Sequence, residues 1–428
     1  MKKWSFLFTV VAFMLSFNAF ATHGDNMIGF GAISKGMGGT GIGFPLGSES
    51  TLKNPAMLSY GRKMNEFQFA GTLFKPKVTT VNKKMEANMG GKTYESEADS
   101  FLIPAIGLQY IINEKMTFCL GAYGTSGLGV DYRKAALTDG LYKMATSLSI
   151  MKFVPSLAYQ HKQFSFGASM ALMYGALSIA YDRAYTVGNL QATFGGGAGP
   201  ATGSNIDHEG SGVSQDLGFG FNLGLGYENT SKNFIAGLHY QSPIKMTYDM
   251  QINSAATDFG MSPAPADDLE QPAELGIGFS YRLNNWTVAI DFKQVYWEST
   301  AGYGDFGWED QDVYGVGLQY SLADETFLRL GYSYGKNPLG DKALTTGTTT
   351  NDYNKHAFNI IGFPASVETH YTVGVTHRYS RVFAADFAFV YAPEYKATAI
   401  GHDGATTVDF ENTHEQMSFT FALRWLMD

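Results

Sequence analysis

The segment MSFTFALRWLM, residues 417–427, constrains this chain more than any other. Met417, Phe419, Phe421, Leu423, Trp425 and Met427 share one face of an extended chain, while Ser418, Thr420, Ala422 and Arg424 share the other. Side chains alternate across a strand with a period of two, so this segment reads as a strand with one fully apolar face. The pattern recurs. Leu217, Phe219, Phe221, Leu223, Leu225 and Tyr227 oppose Gly218, Gly220, Asn222, Gly224 and Gly226. Trp286, Val288, Ile290 and Phe292 oppose Thr287, Ala289, Asp291 and Lys293. Candidate strands fall at 63–75, 101–112, 115–126, 150–160, 163–182, 214–228, 232–249, 272–283, 285–298, 311–321, 325–335, 366–379, 382–396 and 414–427, an even total of fourteen.

The connections sort into two kinds. Asn113-Glu114, His161-Lys162, Thr230-Ser231, Asn284-Asn285, Asp324 and Ser380-Arg381 mark tight turns. Long connections alternate with them, at 76–100, 127–149, 183–213, 250–271, 299–310, 336–365 and 397–413. Short turns at one end and long loops at the other are the signature of an outer-membrane barrel. Closure also removes the unpaired edges that lipid cannot satisfy. The expected fold is therefore all-β, a transmembrane antiparallel barrel of about fourteen strands.

Composition agrees. Only 16% of the 428 residues are charged, against 14% aromatic and 50 glycines. A barrel needs no long apolar run, because only alternate residues face lipid. Residues 1–21 read as a signal peptide, with Lys2 and Lys3 before the apolar FLFTVVAFMLSF and an Ala19-Phe20-Ala21 cleavage site. After Ala21 no run of about 18 apolar residues occurs, so no spanning helix is expected. The net charge of −9 and the lack of a basic cluster argue against nucleic acid as a partner. The single cysteine, Cys119, excludes an intrachain disulfide and a CxxC metal site. GMGGTG at Gly36–Gly41 fits G-x-G-x-x-G but lacks a βαβ context. His beside acids in GHDG and THEQ gives no metal-ligand set, and no P-loop, HExxH or GxSxG occurs, so no cofactor, no metal and no enzymatic activity are expected.

Residues 22–62 do not alternate. They carry a glycine-rich run, GFGAISKGMGGTGIGFPLG, followed by Asn54-Pro55-Ala56, a tripeptide also found in aquaporin pores. The want of spanning helices removes the aquaporin reading. Such a segment makes a poor soluble domain but a workable lumen plug, because glycine tolerates an irregular path. Asn54 is placed to cap a short helical turn that Pro55 begins. The expected organisation is a leader over 1–21, a hatch over 22–62 and a barrel over 63–428.

A plug holding Asn-Pro-Ala before a fourteen-stranded barrel resembles the FadL-type family of outer-membrane transporters for long-chain fatty acids and other hydrophobic compounds. LYKMATSLSIMKFVPSLAYQ, GFGFNLGLGYENTSKNFIAGLHYQSPIKMTYD, QPAELGIGFSYRL and HYTVGVTHRYS are similar to family segments in matching places. The chain departs from the usual aromatic C-terminus by adding Leu426-Met427-Asp428 after Trp425.

The resemblance implies passive transport in the Gram-negative outer membrane. Cargo would land in an apolar outer groove, enter a deeper site against the hatch, and leave sideways beside a kinked third strand. Loop 127–149 reads as helical, with Leu137, Leu141, Tyr142, Met144 and Leu148 offered as groove residues. For the deep site the candidates are Met27, Ile28 and Phe30 of the hatch, with Lys293, Arg329 or Arg378 to meet a carboxylate. Gly121, Gly124, Gly127 and Gly129 in strand three suit a bend. The expected cargo is a long-chain fatty acid, or else an aromatic or alkane hydrocarbon. A surface adhesin is the competing class, although an adhesin needs no hatch. Expected partners are outer-membrane lipid, lipopolysaccharide and the barrel-assembly machinery, with the protein itself a monomer.

Overall fold

Fourteen antiparallel strands close on themselves. The computed structural model describes residues 22–61, 64–83, 86–87, 92–136, 139–182, 207–208, 212–339, 350–400 and 408–427. The leader over 1–21 and the groove candidate Leu137 lie outside them. The barrel strands are β1 (Asn65–Asn82), β2 (Phe101–Ile111), β3 (Met116–Asp131), β4 (Ala145–His161), β5 (Phe164–Asp182), β6 (Ser214–Glu228) and β7 (Phe234–Gln241). They continue with β8 (Glu274–Leu283), β9 (Trp286–Val295), β10 (Gln311–Ala323), β11 (Thr326–Gly335), β12 (Thr369–Arg378), β13 (Phe383–Ile400) and β14 (Val408–Met427). Each pairs with its sequence neighbours, and β14 returns to β1 from Met427↔Asn65 up to Phe410↔Asn82. That last ladder removes the sheet edge.

The alternation sets the two faces. Phe219 is 70% exposed on the outside, whereas Asn222 on the lumen face is fully buried. Aromatic pairs such as Phe67–Trp425, Phe164–Tyr227 and Trp286–Tyr320 ring the short-turn end. Such a girdle marks a membrane interface.

The strand ends differ from the alternation reading because polar ladders continue above the apolar band. β3 runs on to Asp131 and β4 starts at Ala145, paired without a break from Ser126↔Ile150 to Asp131↔Ala145. No α-helix occurs among the described residues between them, which corrects the helical reading of 127–149. Gly140, Tyr142 and Lys143 all have positive φ there, which a right-handed helix cannot hold. β7 stops at Gln241 because Ser242-Pro243 follows, and proline donates no ladder bond. The chain instead folds a hairpin, Ile244–Thr247 with Asp268–Gln271, against the mouth. A helix, Thr350–Gly362, was not legible in the long 336–365 connection.

Candidate functional site

Residues 22–61 occupy the lumen as short turns, with helical pieces at Ala32–Gly36, Ser50–Lys53 and Pro55–Ser59. Asn54 anchors them. Its Oδ1 accepts from Ala56 N at 3.0 Å, and its Nδ2 donates to Ile42 O at 2.8 Å and to Leu225 O of β6 at 3.2 Å. Pro55 opens the 3₁₀ turn that follows. The wall makes room with glycine. A Cβ on Gly224 would stand 2.0 Å from Asn54 Oδ1, and one on Gly237 would stand 1.9 Å from Ile42 O.

Above the hatch, toward the long loops, lies an apolar slit. Leu128, Leu148, Leu177, Ile179, Ile252, Leu269, Tyr303, Phe306, Trp308, Phe358, Asn359 and Phe363 line about 410 Å³ of atom-free space, part of it open to solvent. The loops that resisted a sequence reading supply most of this lining. Of the predicted groove residues, Leu148 lines the slit from β4. Leu141, Tyr142 and Met144 are buried in the same apolar cluster, with Tyr142 edge-on to Phe259 at 5.5 Å.

Beneath the slit the lumen becomes polar. Lys293 Nζ bonds Glu274 Oε2 at 2.8 Å, and Asn26 Nδ2 reaches Glu274 Oε1 at 3.3 Å. Lys152, only 3% exposed, donates to Gln241 Oε1 at 2.9 Å. No carboxylate ion-pairs with it among the described residues. It is the lone charge on the lumen face of β4, a signal the sequence carried but sequence reasoning passed over.

The predicted deep site divides. Met27 clusters with Phe74 and Ile103, with Phe30 packed against them. Ile28 O accepts from Lys53 Nζ at 2.9 Å, and that ammonium lies 5.5 Å from the Phe30 ring centre. Only Lys293 joins them at the long-loop end. Arg329, bonded to Gln319 and Thr376, and Arg378, over the Phe327 ring, sit near the short turns.

The wall has a window. β1 and β2 pair as far as Phe74↔Phe101, but β2 and β3 pair only as far as Ala105↔Tyr123. Higher up, Glu97 N donates to Asp131 O at 2.9 Å and closes the wall again. Between these limits β3 bulges at Gly124/Ser126, and Pro104 opposite has no N–H to offer. The hatch fills the window from inside. Asn26 pairs with Ser126, and Gly127 N donates to Asp25 O at 3.1 Å. Behind the window is a second space of about 260 Å³, lined by Phe74, Pro76, Val78, Gly127, Leu128, Gly129, Pro364 and His414. It shares Leu128 with the slit, and Gly129 with a niche on the outer wall. Sequence reading anticipated a bend from the glycines of β3, but not that the hatch's own backbone stops the window.

The hatch carries charge where water is scarce. Burial pushes the Asp25 carboxyl up to about 6. Burial likewise lowers the Lys35 ammonium to about 7 and the Lys53 ammonium to about 8. Among the described residues no group of His, Cys, Asp or Glu is arranged to hold a metal ion.

A closed barrel with an apolar outer band, a filled lumen and an apolar slit defines a plugged outer-membrane channel. The chain matches, over residues 9–425, the profile of the outer membrane protein transport family OMPP1/FadL/TodX, and it belongs to that family. It is an outer-membrane transporter of hydrophobic compounds, and its home is the Gram-negative outer membrane. Among solved structures it is similar to the Pseudomonas putida toluene transporter TodX, at 19% identity and a TM-score of 0.67, covering 93% of this chain and 99% of that one. It is similar to a Pseudomonas aeruginosa FadL homologue at 14% identity and a TM-score of 0.66, covering 95% and 100%. It is also similar to the Ralstonia pickettii toluene transporter TbuX at 18% identity and a TM-score of 0.61, covering 94% and 99%. At these identities the likeness establishes the fold. No curated protein matches the sequence.

Proposed function

We propose that the cargo is a long-chain fatty acid, taken up passively through the slit and released sideways through the window. One observation carries the choice of cargo. The apolar column from Leu148 through Ile150 and Met173 ends on Lys152, a buried ammonium bonded to a neutral amide. An unpaired buried ammonium is costly, and an arriving carboxylate would give it a charge-assisted hydrogen bond. Lys293 lies in the same polar layer, already paired with Glu274. An acyl chain would then lie among the leucines and rings above. The protein would act as a monomer, with no cofactor and no chemical step, since each barrel satisfies its own backbone.

A second reading has its own support. Phe306 and Phe358 stack at 5.4 Å in the slit wall, a surface that suits an aromatic hydrocarbon, and two of the similar structures are toluene transporters. Uptake of labelled oleate and labelled toluene, in cells lacking their own transporters, separates the two. The wild-type protein is expected to raise oleate uptake, and Lys152→Met to cut that gain about tenfold, the scale of one charge-assisted bond, while leaving toluene alone. Toluene uptake without oleate uptake would move the assignment to hydrocarbons.

A further inference from the structure

The slit and the space behind the window share Leu128, and one slit-lining side chain also bonds the hatch turn that stops the window. Tyr303, in the 296–310 loop, lines the slit with its ring. Its hydroxyl donates a hydrogen bond to Asp25 Oδ2 of the hatch. Among the described residues, no other side chain lining the slit has a polar atom bonded to the hatch. We propose that Tyr303 is the positioning residue through which an occupied slit unlocks the window. The inference rests on the slit being the cargo site, whatever the cargo's head group.

The chain of contacts is short. Trp297 and Trp308 pack on the Tyr303 ring at 4.8 and 4.7 Å. The same indoles press on Gly24, the hatch residue before Asp25, where a Cβ would stand 2.7 Å from Trp297 Cζ2 and 3.1 Å from Trp308 Cζ3. Gly24 also has φ of +64°, so only glycine sits there without strain. Asp25 O then accepts from Gly127 N in the window, and Asn26 pairs with Ser126. Gln271 ties the group together, donating to Asp25 Oδ2 at 2.7 Å and to the Tyr303 hydroxyl at 2.8 Å. Ser126 Oγ lies 2.8 Å from Asn26 Oδ1 and 3.2 Å from Gln271 Oε1.

Asp25 depends on these donors. Its Oδ2 has two of them and its Oδ1 has none among the described residues. A buried carboxylate that loses one of two donors is better placed in water. Cargo entering a narrow slit has to shift its rings, and a shifted Tyr303 takes its hydroxyl from Asp25. The Gly24-Asp25-Asn26 turn then withdraws and the window clears. Tyr303 thus converts apolar occupancy, which carries no directional signal, into the loss of one directed bond.

The test reads the hatch rather than transport. In a Cys119→Ser background, Thr22→Cys places one thiol on the hatch, and its rate of reaction with a small polar maleimide is measured in outer-membrane vesicles with and without oleate or toluene. Labelling is expected to be slow without cargo and to rise about tenfold with it, the scale of one bond to a charged group. Tyr303→Phe, which keeps the ring, is expected to label fast with or without cargo. Ile360→Val, which trims the packing behind the slit at a residue that does not line it, is expected to stay slow until cargo is added. Slow labelling in Tyr303→Phe, or equally fast labelling in Ile360→Val, would overturn the proposal. If toluene accelerates the wild type and oleate does not, the fatty acid reading fails while Tyr303 keeps its role. Heat-dependent gel mobility confirms that each variant barrel is folded.

Discussion

Asn54 shows how much one side chain does in a hatch with little regular structure. It caps a turn and also satisfies two carbonyls, one on the hatch and one on the wall. Asn54→Ala loses the cap, worth about 1 kcal/mol, and leaves two carbonyls without their donors. We expect the hatch to loosen by about 2–4 kcal/mol, seen as faster amide exchange over residues 41–60 while the barrel stays protected. Gly237→Ala should hurt from the wall side, because its Cβ would meet Ile42 O at 1.9 Å. Thermal unfolding should drop by the equivalent of about 1–3 kcal/mol.

Lys35 makes a pH prediction. Its Nζ donates to Thr72 and Thr420, which stand on β1 and β14, so it pins the hatch to the closing seam. Burial lowers its ammonium from 10.5 to about 7, and that of Lys53 from 10.5 to about 8. The undocked hatch therefore binds more protons than the docked one between these values, so docking strengthens as pH rises from about 7 toward 10. Labelling of the Thr22→Cys hatch, taken relative to the same thiol in the denatured protein at each pH because the thiolate fraction itself rises with pH, should slow across that window, and Lys35→Met should flatten most of the slope.

At the scale of elements, the window is a local failure of one ladder. β2 and β3 part above Tyr123, where Pro104 of β2 has no N–H and β3 bulges in its other ladder, with β4, and a two-residue piece of hatch takes the vacant edge. Directly paired antiparallel residues bring their Cα atoms within disulfide range. Asn26→Cys with Ser126→Cys, in a Cys119→Ser background, should therefore crosslink hatch to wall. Uptake is expected to stop when the pair is oxidised and to return on reduction. Uptake that continues through the oxidised form would place the exit elsewhere.

At the scale of the whole molecule, the hatch does two jobs with separate parts. Residues 32–59 fill the lumen and pack on several strands, while residues 22–27 close the window and fix that turn to the wall at Gln416, Ser333 and Glu274. Deleting Thr22–Asn26 should leave single-channel ion conductance near zero, because the lumen stays blocked. The same deletion should release gating of hydrophobic uptake. A porin-like conductance in that variant would mean that the N-terminal turn also holds the rest of the hatch in place.

Much of this was determined by the sequence alone, and the reason is periodicity. Two faces meeting two solvents force a two-residue repeat, so strand number, wall polarity, loop sidedness and the plug were all legible. Asn54 and Pro55 were legible too, because capping is local. The site was legible only in fragments. Leu148 and Lys293 reach the slit and the polar layer, but Arg329 and Arg378 point into the same lumen from its other end. Periodicity assigns a face and says nothing about depth. The slit lining comes from loops with no repeat, including a helix over Thr350–Gly362 and a hairpin folded over the mouth. The contact of Tyr303 with Asp25 joins residues 278 positions apart. Only tertiary structure decides such a contact, since it exists once barrel closure has brought a loop over the lumen that the N-terminus enters.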